Sequence, residues 1–185
     1  MQDKARRRPM HTRRLEMCAY ARDDGLWDFE AHLRDEKPFT YIDPGRGEQK
    51  PGQAVHDIRV RLTVDDDRVI REVEVEMGSM PFGTCHEVKD SLRPLIGERV
   101  GRGWRQILKR IPRKTTCAHV HELLVPLATV VHQGMSLGRN PDGKVALDPD
   151  PTLDKPPFFV DDCYSWRLEG PVVAHFYPQF SRRKS

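Results

Sequence analysis

Two alternating runs on either side of an acidic turn constrain this chain more than any other feature. In VHDIRVRLTV, residues 55–64, Ile58, Val60 and Leu62 take one side while Asp57, Arg59 and Arg61 take the other. After Asp65-Asp66-Asp67 the run RVIREVEVEM, residues 68–77, alternates again through Val69, Val73, Val75 and Met77. A period of two with apolar residues on one side describes an antiparallel hairpin with one face on a core and one in water.

The flanking segments fill in the rest. Between Leu15 and Leu33 the turn signal Asp23-Asp24-Gly25 separates two short strands, the second alternating through Trp27, Phe29, Ala31 and Leu33. Residues 36–54 carry Lys37-Pro38, Asp43-Pro44-Gly45 and Pro51-Gly52, which is loop chemistry. Thr84-Cys85-His86-Glu87 reads as a capping box opening a helix through Val88, Leu92 and Leu95, kinked at Pro94. A second helix is expected over Trp104–Ile111. A third is expected from Thr115-Thr116 to Gly134, with Val120, Leu124, Leu127 and Val131 as its core face. Residues 134–157 look like an excursion loop, and Pro157–Phe180 then holds seven of the fourteen aromatics. That stretch reads as a short hairpin plugging the core, or as an apolar wall over a pocket. The expected class is α+β: an antiparallel sheet of about four strands with about three helices on one face. Residues 1–14 are expected to be a flexible basic arm and 15–181 a single domain.

Composition excludes several functional classes. The net charge is +3, but the two basic ends account for +8 of it, so residues 15–181 carry about −5. An acidic body argues against a broad nucleic-acid surface. No apolar run approaches the roughly eighteen residues of a membrane span. The start of the chain lacks the apolar stretch of a secretory signal, so the expectation is a cytoplasmic protein whose four cysteines are free or metal-bound. No glycine-rich phosphate loop occurs, and no nucleotide cofactor is expected.

Chemistry concentrates in a few side chains. Cys85 and Cys117 each follow a threonine at an expected helix start, where free amides and the helix dipole favour thiolate. Cys117, His119 and His121 form a run dense in metal-ligand side chains, and His56 lies on the apolar side of its strand beside Asp57. A core histidine usually has only a satisfied hydrogen bond, and a buried cysteine is often a filler. The coincidence of these groups points instead to one shared metal site. The expected ligands are His56, Cys85 and Cys117, with the fourth position falling to Cys163, His119, His121 or water. Mixed sulfur and imidazole ligation suits a single Zn or Fe ion. Asp57 and His119 are the candidates for proton transfer.

The order His56-Asp57-Ile58, isolated Cys85, Cys117-Ala118-His119-Val120, then Cys163 before Trp166 resembles the bacterial domain of unknown function 2889 family. That resemblance spans roughly residues 13–180 and implies no activity. A more distant likeness joins Asp57–Val131 to the NifU-type iron–sulfur scaffold: strand, acidic turn, strand, Cys85 at a helix start, then Arg113 to Leu124 around Cys117-Ala118. It implies a NifU-like core with Asp57, Cys85 and Cys117 near the scaffold's cluster residues. The scaffold's first cysteine is Val55 here and its glycine is His56, which favours a single ion over a cluster.

The function expected from these features is a metal-dependent lyase or hydrolase acting on a small, partly apolar or aromatic molecule. The alternative is a metal or cluster carrier without turnover. Neither nucleic acid nor membrane is expected as a partner, and nothing in the sequence sets the oligomeric state.

Overall fold

A computed structural model of the 185-residue chain describes residues 5–136, 138, 152–157 and 159–183. The chain divides into two compact units, residues 1–139 and 140–185.

The first unit is α+β. Its sheet contains β1 (Thr12–Ala21), β2 (Trp27–Glu36), β5 (Ala54–Val64) and β6 (Ile70–Ser79), all antiparallel, in the order β1-β2-β5-β6. The two alternating runs pair as the period required, with Val60 opposite Val75 and Leu62 opposite Val73. β1 starts inside the segment expected to be a flexible arm, because Arg13 and Arg14 find partners across β2. Within residues 36–54, whose loop chemistry predicts no strand, Tyr41–Asp43 (β3) and Gly47–Gln49 (β4) form a small hairpin. Arg46 ties it to the main sheet through the Ala54 carbonyl and the Ser79 hydroxyl.

The inner face of the sheet is covered by α2 (Ala118–Met135), which buries Val120, Leu123, Leu124, Leu127, Ala128 and Val131 against Phe29, Leu33, Ile58 and Leu62. Burying each leucine or valine of this set contributes about 1.5–3 kcal/mol. Gly134 lets the helix end approach the sheet: a Cβ there would stand 2.5 Å from the Ala19 Cβ and 3.1 Å from the Phe29 ring. The short α1 (Trp104–Lys109) docks on α2 through Trp104, whose indole N–H donates to the Leu124 carbonyl at 2.8 Å.

The expected capping box does not form. Gly83–Leu95 is a 3-10 stretch broken at Val88, with Phe82 at its N-cap and no side-chain cap. Pro94, which has no N–H, sits inside it. Cys85 therefore does not open an α-helix.

In the second unit Val160, Leu168, Val173 and Tyr177 form a small core of their own, joined by Phe159, Trp166, Phe176 and Phe180. The expected hairpin is instead α3 (Pro171–Phe176), with Pro171 in its first turn, followed by a 3-10 turn over Pro178–Phe180. Most of the 134–157 excursion lies outside the described residues.

Candidate metal centre

The pleat that builds the core also builds the site. In β2 the inward positions are Trp27, Phe29, Ala31 and Leu33, and the next inward position is Asp35, which is only 1% exposed. In β5 the inward positions Leu62, Val60 and Ile58 lead to His56. Register places Asp35 opposite His56, and the pairing then slips so that Glu36 faces Ala54. Val55 is the extra residue of this bulge, and bulges re-aim neighbouring side chains. The third contributor is the first turn of α2, with Cys117 as its N-cap residue and His119 two positions on.

These elements bring Asp35, His56 and His119 together, with one candidate ligand atom from each within 4.8 Å of the others. Among the described residues no other group of this kind occurs, and Cys117, Cys85 and Asp57 lie outside it. The His56 and His119 rings lie 4.0 Å apart between centroids, tilted by 40°. Cys117 Sγ stands 3.7 Å from His119 Nδ1.

Asp35 is a charged hub. Arg13 grips it with both arms, Nε to Oδ1 and Nη2 to Oδ2 at 2.8 Å each, and also reaches Glu122 at 3.1 Å. His11 approaches Oδ1 at 3.3 Å, and His56 Nδ1 lies 3.0 Å from Oδ2. Burial opposes ionisation of Asp35, but the Arg13 bonds and charge outweigh it and hold the carboxyl down at about 2. An ionised carboxylate can only accept, so His56 Nδ1 donates and its Nε2 keeps a free lone pair. Burial, and then the neighbouring His119, push the pKa of His56 below its ordinary value. Burial and the Arg13 charge do the same for His119. Both imidazoles are therefore neutral at neutral pH, the form that binds metal or takes up a proton.

Several residues singled out in the sequence lie elsewhere. Asp57 follows His56, so strand alternation turns it to the opposite face, where it pairs with His32 at 2.8 Å and Arg34 at 3.0 Å. Cys85 is partly buried against the main core. His121 turns toward α1, its Nε2 3.4 Å from the Leu108 carbonyl. Cys163 is exposed on the second unit. Two members of the cluster, Asp35 and Arg13, went unnoticed in the sequence. Their signal was position: each continues the inward phase of its strand past the last apolar residue.

No helix among the described residues is long and apolar enough to cross a membrane. No curated protein and no solved structure matches the chain. The family described as Protein of unknown function (DUF2889) matches it over residues 11–133, from the histidine beside Asp35 to the last turn of α2, and the chain belongs to that family.

Proposed function

We propose that this protein binds one first-row transition ion, Zn or Fe, through His56, His119 and Cys117, and is a metal-dependent lyase or hydrolase acting on a small organic molecule. The observation that carries this reading is the convergence of Asp35, His56 and His119 within 4.8 Å at the buried end of the sheet. Asp35 is assigned a place behind His56 because Arg13 already occupies both of its oxygens. A carboxylate in that position fixes the tautomer of a ligating imidazole and raises its basicity. Cys117 lies outside that 4.8 Å group and is assigned as the third donor on its distance from His119. Sulfur and nitrogen ligands of one tetrahedral ion stand about 3.6 Å apart, given bonds of about 2.3 and 2.1 Å. The 3.7 Å between Cys117 Sγ and His119 Nδ1 fits that spacing.

Three protein donors leave one position for water or substrate, the arrangement of catalytic rather than structural sites. Such an ion polarises a carbonyl or acidifies a bound water. The aromatics of the second unit pack on one another, so they give no reason to narrow the substrate to an aromatic one. The test is a screen of small carbonyl compounds and esters, with and without chelator. Turnover that chelator abolishes and Zn or Fe restores supports the reading. Bound metal with no turnover on any member of the screen would favour the carrier alternative.

A further inference from the structure

Between Arg99 and His121 the chain carries seven Lys and Arg and no Asp or Glu. Two of the seven have counter-charges: Arg110 pairs with Glu98 at 2.5 Å and Arg99 with Asp67 at 3.6 Å. The other five, Arg102, Arg105, Lys109, Arg113 and Lys114, are exposed and make no ion pair among the described residues. Arg105 and Lys109 stand one turn apart on α1, away from its buried residues Trp104 and Leu108. Arg102 and Arg113 flank the helix, one before the left-handed Gly103 and the other after Pro112. The result is a run of like charges on and beside a short helix docked on α2. Elsewhere exposed or partly exposed arginines are ion-paired, as Arg61 is with Glu74 and Arg71 with Asp65. Like charges set side by side repel, a cost that an anionic ligand would relieve.

The stripe also ends beside the candidate centre. Leu108, next to Lys109, contacts His121 of the first turn of α2, the turn that carries Cys117 and His119. We infer that the substrate of this site is a small molecule with a chain of phosphate groups, held by Arg102, Arg105, Lys109 and Arg113 while its reactive end reaches the metal. The inference takes its reactive end from the proposed metal site, but the phosphate contacts stand without it. A small molecule is favoured over nucleic acid because residues 15–181 are net acidic.

Calorimetric titration of the full chain with inorganic tripolyphosphate at 50 and 300 mM NaCl tests the assignment. It is run on the protein as purified and on His119→Ala, so that chelation of a bound ion is separated from binding to the stripe. The expected result is saturable binding in both proteins, weaker at high salt, and reduced at least about tenfold (1.4 kcal/mol) in R105E/K109E. R182E/R183E, which changes net charge equally in the second unit, should bind as the parent does. Absence of binding at low salt, or equal loss in both double variants, would overturn the inference. So would a short single-stranded oligonucleotide that binds the same residues more tightly than tripolyphosphate. A failed metal assay with intact tripolyphosphate binding would remove the metal site and leave the stripe.

Discussion

Asp35 and His56 meet across β2 and β5 with Oδ2 and Nδ1 3.0 Å apart, at the last inward positions before the pairing slips. This contact joins fold to site, because the carboxylate that orients the imidazole is also the one that anchors Arg13 of the edge strand. Replacing Asp35 by Asn should therefore act twice. It takes the two-pronged carboxylate partner from the exposed Arg13, which keeps only Glu122, at a cost of about 1 kcal/mol. It also loosens the hold on His56, which should weaken metal binding by roughly 10–100-fold. Chemical denaturation and competitive metal titration read the two effects separately. An Asn variant as stable as the parent would contradict the hub role.

Acid should destabilise the metal-free fold in two windows. The His56 and His119 pKa values are depressed on folding, so the unfolded chain takes up protons first as pH falls below about 6.5. Stability should decline from there toward the lower folded-state values. Asp35 adds the second window: its contribution, roughly 2 kcal/mol, is complete above about pH 4 and is lost as pH falls toward 2. Tm measured from pH 8 to pH 2 should fall in both windows, and His56→Gln should flatten the first.

On the outer face, Asp57→Asn should leave metal content unchanged and cost about 1 kcal/mol or less, since its partners His32 and Arg34 are partly exposed. Cys85→Ala should likewise keep the metal, whereas Cys117→Ala should lose it. Elemental analysis of the three variants separates these cases. Loss of metal from Asp57→Asn would mean that the two faces of the sheet are coupled in a way the geometry does not provide.

Gly134→Ala offers a test of the fold alone. Alanine favours a helix by about 1 kcal/mol over glycine. Here its methyl would meet Ala19 and Phe29, and overpacking costs typically 1–3 kcal/mol. Net destabilisation is expected in thermal melts. A gain in Tm would show that the end of α2 sits further from the sheet.

The sheet was legible in the sequence because its signal is local: alternation in 55–64 and 68–77 fixes both the pairing and the buried face. Half of the site was legible for the same reason, since His56 lies in phase with Ile58 and Val60. Asp35 was not, because a buried carboxylate interrupts an apolar pattern, and the arginine that makes it tolerable comes from another strand. Asp57 was drawn into the site by adjacency along the chain, the one direction in which a strand separates side chains. The T-x-x-E spacing at Thr84 met the rule for a capping box, but the segment holding Pro94 winds as 3-10, and with the α-helix goes the argument for Cys85. The basic stripe of 102–114 was hidden by averaging charge over the whole body.

The central claim is one ion held by His56, His119 and Cys117. Its most direct test is elemental analysis of the purified chain beside the double variant His56→Ala/His119→Ala, prepared identically and shown to be folded. About one equivalent of Zn or Fe per chain is expected in the first and essentially none in the second. A metal-free parent that takes up no added Zn or Fe, or a double variant that keeps its full equivalent, would contradict the account.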